Sequence, residues 1–354
     1  MEERNYLLVL GVISFCCCWL DFINIKKIYK QIIFIFVLIF ALYCGCINFP
    51  FSTDYYVYKG YYDYAPETIK FEINNDIADY GFIWLNMIIK YCGGTINDVY
   101  FVVCSIVVLI YFIMIRKFTP YIFCAWYLLF ARFFELQNIV QIRQGLGIVI
   151  LLYALKYIYE KNIIKYIIFI IIATLIHKTL IVALVLYPLT KINWNKKKVT
   201  IFIILSSILY MVPITNIVFN IFLPVIGIEI PKFEAYQDTI YAESISLLGN
   251  ISRLIIGSFL VYFLLKVKEK LYSNIFLTMI LLGIFIMCAF SDFGILSGRL
   301  ANIFFIAFSF APVYFFDLIK KKKDKLLIMI MYILVTTVFV LKNYVFFVIS
   351  SGTI

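Results

Sequence analysis

Residues 131–178 read ARFFELQNIVQIRQGLGIVILLYALKYIYEKNIIKYIIFIIIATLIHK. Two arginines, Glu135, several glutamines and the only histidine of the chain lie here, in sequence that is otherwise apolar enough for a bilayer. An arginine at the centre of a membrane helix costs roughly 2.5 to 3.5 kcal/mol on insertion scales, so polar groups there usually serve a function. The stretch therefore predicts a polar site inside a membrane protein.

The composition predicts an all-α, polytopic integral membrane protein. Hydrophobic residues make up 64% of the 354 residues, charged residues only 14%, and the mean hydropathy is +1.00. A water-soluble fold of this composition would lack the polar side chains needed to cover its surface. We expect one transmembrane domain over residues 1–354 with about 12 helices. Its first span has no signal-peptide cleavage site, and we expect it to be retained.

The net charge of +11 comes mostly from short basic clusters between apolar runs. This distribution is typical of cytoplasmic loops, so nucleic acid is not an expected partner. The clusters lie near residues 26–30, 116–117, 156–165, 191–198, 266–270 and 320–325. With these clusters inside, the N-terminus is outside. Two acidic external loops are then predicted, at about residues 50–79 and 225–249.

The same clusters predict the path of the polar stretch. The chain between two neighbouring cytoplasmic clusters must cross the membrane twice. Between the clusters at 116–117, 156–165 and 191–198, it is therefore expected to turn outside near residues 132–143 and again at His177 and Lys178. Arg132, Glu135 and Arg143 would then lie with His177 near the outer face. A long span is predicted at 199–224, whereas residues 80–92 are too short to cross.

The arginines are distributed differently from the lysines. Under this topology Arg116 is cytoplasmic, and four of the other five arginines form the outward-facing group Arg132, Arg143, Arg253 and Arg299. A guanidinium group offers a planar fork that grips phosphate oxygens at two points, so this group predicts a phosphate-bearing substrate. Alternatively, each arginine pairs with a nearby acid such as Glu135 or Asp292 for helix packing.

Two further groups of side chains suit sugar binding. The first external loop has many tyrosines beside carboxylates, which would stack on sugar rings and bind hydroxyls, or else form an aromatic belt at the interface. From it we select Asp54, Tyr55 and Tyr58. Gln137, Gln141 and Gln144 are spaced by four and three, which puts them on one helix face if the segment is an α-helix. They would line a sugar-binding groove or form hydrogen bonds between helices.

The residue types argue against a metal or cofactor site. The nine cysteines lie mostly in apolar segments, and with one histidine in the chain a zinc centre is not expected. Phosphate-cradling and dinucleotide-binding glycine motifs are absent. Gly145 and Gly147 instead predict close helix contact. We therefore expect neither metal nor cofactor.

Two motifs resemble a known family. TDYYVY at 53–58, and IRQGLGIVILLYALKYIYEKNIIKYIIFIIIATLIHKTLI at 142–181, are similar to the EpsG-like family of polysaccharide polymerases, akin to the O-antigen polymerase Wzy. The likeness covers residues 50–190, and SGRL at 297–300 resembles a later arginine motif. The family usually has Glu before its Gly-Phe pair. This chain has Asp79-Tyr80-Gly81-Phe82, so Asp79 is left out of the predicted site.

The resemblance implies a metal-independent glycosyltransferase that polymerises O-antigen-like surface polysaccharide, as in lipopolysaccharide, at the periplasmic face of the bacterial inner membrane. The donor would be a glycan on undecaprenyl diphosphate, and the acceptor a hydroxyl of another lipid-linked repeat unit. The implied partners are this lipid-linked oligosaccharide, membrane lipid and a chain-length regulator protein.

That reaction suggests a role for each candidate. Fixed cations in a site of low dielectric would stabilise the leaving diphosphate, a role assigned to Arg143 first, then Arg132 and Arg299, with Arg253 as a weaker candidate. A histidine among arginines is biased toward its neutral form, so His177 is the candidate base, unless its role is packing. The alternative bases are Asp54, Glu135 and Asp292.

Two other functions compete with this prediction. A transporter or flippase of lipid-linked sugars would have polar residues along a whole transmembrane path, whereas here they concentrate at the outer end. A membrane sugar O-acyltransferase would have a histidine signature near its first helix, and the single histidine here is His177.

Overall fold

The computed structural model describes residues 2–69, 79–217, 247–267, 271–319 and 324–325. All regular secondary structure in these residues is helical. The chain divides into two compact units, the first of Met1–Ile181 with Val313–Ile354 and the second of Val182–Pro312.

The α-helices differ widely in length. Those of the first unit are α1 (Glu2–Cys17), α2 (Lys27–Asn48), α3 (Tyr55–Tyr64), α4 (Tyr80–Tyr91), α5 (Ile96–Phe118), α6 (Ile122–Leu129), α7 (Ile142–Tyr159) and α8 (Ile163–Ile176). Those of the second unit are α9 (Leu186–Leu189), α10 (Lys196–Leu209), α11 (Ile214–Ile217), α12 (Leu247–Lys266), α13 (Ser273–Ala289) and α14 (Gly294–Phe305). The chain then returns to the first unit with α15 (Phe315–Leu318).

Tighter and wider helical turns connect these elements. The 3₁₀ segments are Cys18–Asp21, Phe49–Phe51, Lys178–Val185, Ile306–Ser309 and Ala311–Tyr314. Two π-helical segments, Phe130–Phe134 and Leu136–Val140, follow α6.

Five described helical stretches are long and apolar enough to cross a membrane, by length and composition. They are Lys27–Phe51, Ile96–Phe118, Ile142–Tyr159, Gly249–Lys266 and Leu296–Leu318. Shorter apolar helices, among them Asn5–Asp21, Ile163–Ile176 and Ser273–Ala289, accompany them. The protein is therefore an all-α polytopic membrane protein, as predicted. The count of about 12 crossings stays a prediction.

Several segment predictions are refined by the structure. The predicted long span at 199–224 is not one continuous helix, since α10 ends at Leu209 and a turn precedes α11, and its residues 218–224 lie outside the described residues. Pro213 lies in that turn, and a proline both lacks an N–H and disfavours helix in the residue before it. Three parts of the chain lie outside the described residues: most of the predicted loop at 225–249, residues 70–78 of the first loop, and the apolar run at 326–349, which is also expected to cross the membrane.

Local capping defines where the helices near residue 90 begin and end. Helix α4 ends at Tyr91, and Gly93, two residues later, has a φ of +77°, which suits a glycine. Helix α5 begins with a capping box in which Thr95 and Asp98 bond each other, the Thr95 N–H lying 2.6 Å from Asp98 Oδ2. Arg116, in the last turn of α5, complements the helix dipole.

Helix α7 forms the core of the first unit, packing on α5 and α8. Most of its side chains are buried. A Cβ at Gly145 would overlap the carbonyl oxygen of Gln137, and one at Gly147 would come within 2.9 Å of Leu180. The predicted role of these two glycines in close helix contact is therefore confirmed.

Candidate active site

A cluster of charged side chains in the first unit centres on Asp79, the residue before α4. Oδ2 of Asp79 accepts a hydrogen bond from Nη1 of Arg143 at 3.3 Å and lies 3.4 Å from Nδ1 of His177. Oδ1 of Asp79 lies 3.9 Å from Nζ of Lys178. The side chains of Asp79, Arg143 and His177 are 9, 17 and 11% exposed, whereas that of Lys178 is 66% exposed. One carboxylate thus contacts three basic side chains.

Close backbone contact brings these residues together. A Cβ at Gly81 would lie 2.9 Å from the carbonyl group of Leu175, so a glycine lets the start of α4 approach the end of α8. Helix α8 ends at Ile176, and the next residue, His177, has extended backbone (φ −153°, ψ 109°). The 3₁₀ segment that follows begins with Lys178. Asp79 therefore reaches the side chains of two consecutive residues.

Aromatic rings surround the guanidinium group of Arg143. Nη2 of Arg143 lies 3.3 Å from the Tyr61 hydroxyl, to which it donates a hydrogen bond. The guanidinium carbon lies 4.7 Å from the Tyr61 ring centroid, 5.8 Å from that of Phe82 and 6.0 Å from that of Tyr58. Electron-rich ring faces attract cations, and the attraction grows when water is excluded. Arg143 is therefore held in one orientation.

Tyr58 lies buried beside Arg143. A phenol is already neutral at neutral pH, and burial raises the pKa of the Tyr58 hydroxyl further, to about 12, although the positive charge of Arg143 acts in the opposite direction. The hydroxyl therefore stays protonated at neutral pH and adds no negative charge beside Arg143.

The charges of the cluster do not cancel. Asp79 carries one negative charge, Arg143 and Lys178 carry one positive charge each, and a protonated His177 would add a third. The position of Asp79 before α4 is favourable for a carboxylate, since the N-terminus of a helix is its positive end. The cluster therefore combines surplus positive charge, which suits an anion, with a carboxylate–histidine pair, which suits proton transfer.

The sequence of the chain matches a known protein family. The model of the EpsG family matches residues 30–351. The chain belongs to the EpsG family. It is also similar to the amylovoran biosynthesis protein AmsC of Erwinia amylovora, at 25% identity over 234 residues. That match covers 64% of this chain and 61% of the relative, so the chain spans less than two thirds of AmsC. No solved structure matches the chain.

In this EpsG-family protein, three of the predicted site residues come together. Arg143 and His177 both contact Asp79, and Tyr58 is buried beside Arg143. The half-buried Arg132 and Glu135 lie on the π-helical stretch, where the Arg132 guanidinium is 5.6 Å from the Phe133 ring. The predicted external turn at 132–143 is thus helical as far as Val140.

The prediction that three glutamines share one helix face is wrong. The N–H of Gln141 bonds the carbonyl of Leu136 at 2.7 Å, which is π-helical spacing, and the backbone of Gln141 then leaves the helix at φ −99° and ψ 58°. Gln137 therefore belongs to the π-helical segment and Gln144 to α7. Both are buried, and the two amide atoms of Gln137 have no hydrogen-bond partner among the described residues.

The other loop candidates lie at the start of α3. Asp54 precedes the helix, and its Oδ1 accepts a hydrogen bond from the Thr53 hydroxyl at 3.3 Å. The ring of Tyr55 packs edge-on against Phe49 with centroids 5.3 Å apart. These contacts account for local packing and leave the proposed substrate role of Asp54 and Tyr55 as a prediction.

The remaining candidates belong to the second unit. Asp292 accepts hydrogen bonds from the backbone N–H groups of Thr215 at 3.3 Å and Asn216 at 2.9 Å, so it caps the start of α11. This contact gives Asp292 a local structural role, and its role as a base stays a prediction. Arg253 lies in α12 with Nη1 buried and without a hydrogen-bond partner in the described ranges, and the half-buried Arg299 lies in α14.

Sequence reasoning missed the centre of the cluster. Asp79 is not among the predicted site residues, because it stands where the family usually has Glu. Tyr61 and Lys178 are not among them either. A signal was present nonetheless, since Asp79 precedes a short apolar segment and stands two residues before Gly81, a residue that permits close backbone contact. Within the described residues, no three His, Cys, Asp or Glu side chains converge into a group that could hold a metal ion.

Proposed function

We propose that this protein polymerises a surface polysaccharide at the outer face of the bacterial inner membrane. It would transfer a growing glycan from undecaprenyl diphosphate to a hydroxyl of another lipid-linked repeat unit. Membership of the EpsG family, the name of the amylovoran biosynthesis relative and the apolar helices all support this assignment.

The observation that carries the proposal is the fixed position of Arg143. Its guanidinium is held by Asp79, Tyr61 and surrounding rings at a site with more positive than negative charge. A cation that is already oriented needs no rearrangement when negative charge develops, which is the condition for stabilising a transition state. The departing diphosphate is such a charge.

The reaction can be written with these groups. The acceptor hydroxyl attacks the anomeric carbon of the donor glycan, the bond from that carbon to the diphosphate oxygen breaks, and the diphosphate keeps the electron pair. Arg143 neutralises the charge on the leaving group. The products are a longer lipid-linked glycan and free undecaprenyl diphosphate.

His177 takes the proton of the acceptor hydroxyl. When Nδ1 carries a hydrogen and donates it to Asp79, Nε2 has the lone pair that accepts a proton. Asp79 also stabilises the imidazolium that results, as the carboxylate does in a catalytic triad. Arg132, Arg299 and Arg253 are proposed as further cations for the substrate, and a chain-length regulator as a partner.

Deleting the gene in its native host tests the function. We expect the ladder of repeat units in the surface glycan to disappear on a gel while a single-repeat cap is retained, because single units would still be made and exported. An unchanged ladder would contradict the proposal. Loss of all surface glycan, including the single-repeat cap, would favour the flippase alternative.

Complementing the deletion with Arg143 variants tests the site. Arg143→Ala should lower the polymerisation rate about 100-fold or more, the effect typical of losing one preorganised donor, and Arg143→Lys should restore part of it. Arg116→Ala is the matched control, since its guanidinium also lies over a ring, that of Phe112 at 4.5 Å. Equal rates for the Arg143→Ala and Arg116→Ala proteins at equal membrane levels would refute the assignment.

A further inference from the structure

We propose that Lys178 captures the diphosphate of the substrate by exchanging its ion pair with Asp79 for one with a phosphate oxygen. This inference rests on the proposed function, since it assigns the first contact of the same substrate. It separates two tasks within the cluster, capture by Lys178 and charge stabilisation during reaction by Arg143.

Exposure distinguishes Lys178 from the other basic residues of the cluster. Its side chain is 66% exposed, against 17% for Arg143 and 11% for His177. An anion that arrives from solvent or from the membrane surface can therefore reach the Lys178 ammonium group without displacing protein atoms.

The ion pair between Lys178 and Asp79 is also the longest of the three that Asp79 makes. Nζ of Lys178 lies 3.9 Å from Oδ1, a distance compatible with an ion pair but too long for a hydrogen bond. Only the lysine end of this pair is exposed, and there water and salt screen its attraction to the carboxylate. Arg143, by contrast, has a second hydrogen bond to Tyr61 and its aromatic surroundings. Lys178 is therefore the cation that can leave Asp79 easily.

The position of Lys178 in the chain links capture to reaction. It directly follows His177, the proposed base, at the point where α8 ends and the 3₁₀ segment begins. A phosphate held by Lys178 is thus held beside the residue that would take the proton of the acceptor hydroxyl. Before substrate binds, the Lys178 ammonium group is paired with the Asp79 carboxylate. The carboxylate therefore competes with a phosphate oxygen for this cation.

Titration of the purified full-length protein with inorganic pyrophosphate at low ionic strength tests the exchange. We expect Lys178→Met to weaken pyrophosphate binding at least tenfold. Lys59→Met removes the same charge from an exposed lysine of α3 and should change affinity less than twofold. Asp79→Asn should tighten binding about threefold, because the competing carboxylate is gone, even though it impairs turnover.

Three results of this titration would overturn the capture of phosphate by Lys178. Equal weakening by Lys178→Met and Lys59→Met would mean that only net charge matters and would overturn the proposal, as would weaker binding after Asp79→Asn with normal folding. If the wild-type protein binds no pyrophosphate, capture by Lys178 is refuted. The polymerase assignment would still stand or fall on the glycan ladder of the deletion strain, so the two failures are distinguishable.

Discussion

Asp79 contacts Arg143, His177 and Lys178, which come from two different helices and the segment that follows. A buried ion pair contributes little net stability, because desolvation offsets its attraction, but removing one partner leaves an uncompensated charge. We therefore infer that Asp79 serves mainly to orient the basic side chains around it, and contributes little to stability. Tyr61 completes the cluster, since its hydroxyl accepts a hydrogen bond from Nη2 of Arg143 while Nη1 donates one to Asp79.

Tyr61→Phe tests how much of that positioning comes from the hydrogen bond. The variant keeps the ring 4.7 Å from the Arg143 guanidinium and loses the 3.3 Å hydrogen bond. A net hydrogen-bond contribution of about 1 kcal/mol predicts a polymerisation rate lower by roughly fivefold. Rates are measured in membranes with lipid-linked repeat units. Tyr56→Phe, at a side chain 77% exposed, is the control, and an equal effect of both variants would contradict the interpretation.

At the scale of elements, the start of α7 depends on the π-helical segment before it. The wide turns at Leu136–Val140 bring the Gln137 carbonyl against the first turn of α7, where Gly145 leaves room for it. π-helical turns occur often at functional sites, and here the turn sets the position from which Arg143 projects.

Gly145→Ala is therefore expected to disrupt this contact. The added methyl group would overlap backbone, which cannot move as the end of a side chain can, so we expect destabilisation of about 3 kcal/mol or failure to accumulate. Thermal unfolding of the purified protein in detergent measures the change.

Gly60→Ala is the matched control within helix α3. A Cβ at Gly60 meets nothing within 4 Å, so alanine there should stabilise the protein by about 0.5 to 1 kcal/mol. Equal midpoints for the Gly145→Ala and Gly60→Ala proteins would show that the close contact at Gly145 is unimportant.

At the scale of the whole molecule, orientation in the membrane follows from the basic clusters. They predict that Lys178 is outside and that residues 191–198 are inside. The structure supports the position of the turn, since α8 ends at Ile176 and α10 begins at Lys196. The side of the membrane remains a prediction.

Reporter fusions test this orientation. Alkaline phosphatase, which is active only outside the cytoplasm, should be active when fused after Lys178 and inactive when fused after Lys198. β-Galactosidase fused at the same two points should give the opposite pattern. The reverse result at both positions would place the proposed site in the cytoplasm and exclude an outer-face polymerase.

Residue types alone are enough to predict the class of protein, the positions of several helices and part of the site. Hydropathy and loop charge depend on residue types alone, so the apolar runs at 97–115, 144–159 and 163–176 lie close to the helices observed at 96–118, 142–159 and 163–176. Arg143 and His177 were found because a charged or titratable group is costly in an apolar helix.

Only the tertiary structure decided which polar residues meet. Asp79 is 64 residues before Arg143 and 98 before His177, and their contact depends on the close approach of α4 to α8 at Gly81. Nor could residue spacing show the π-helical turns, because the 3.6-residue period assumed for Gln137, Gln141 and Gln144 fails when the helix widens. Side-chain types predict that polar groups need partners, but the packing of distant backbone segments determines which partners they find.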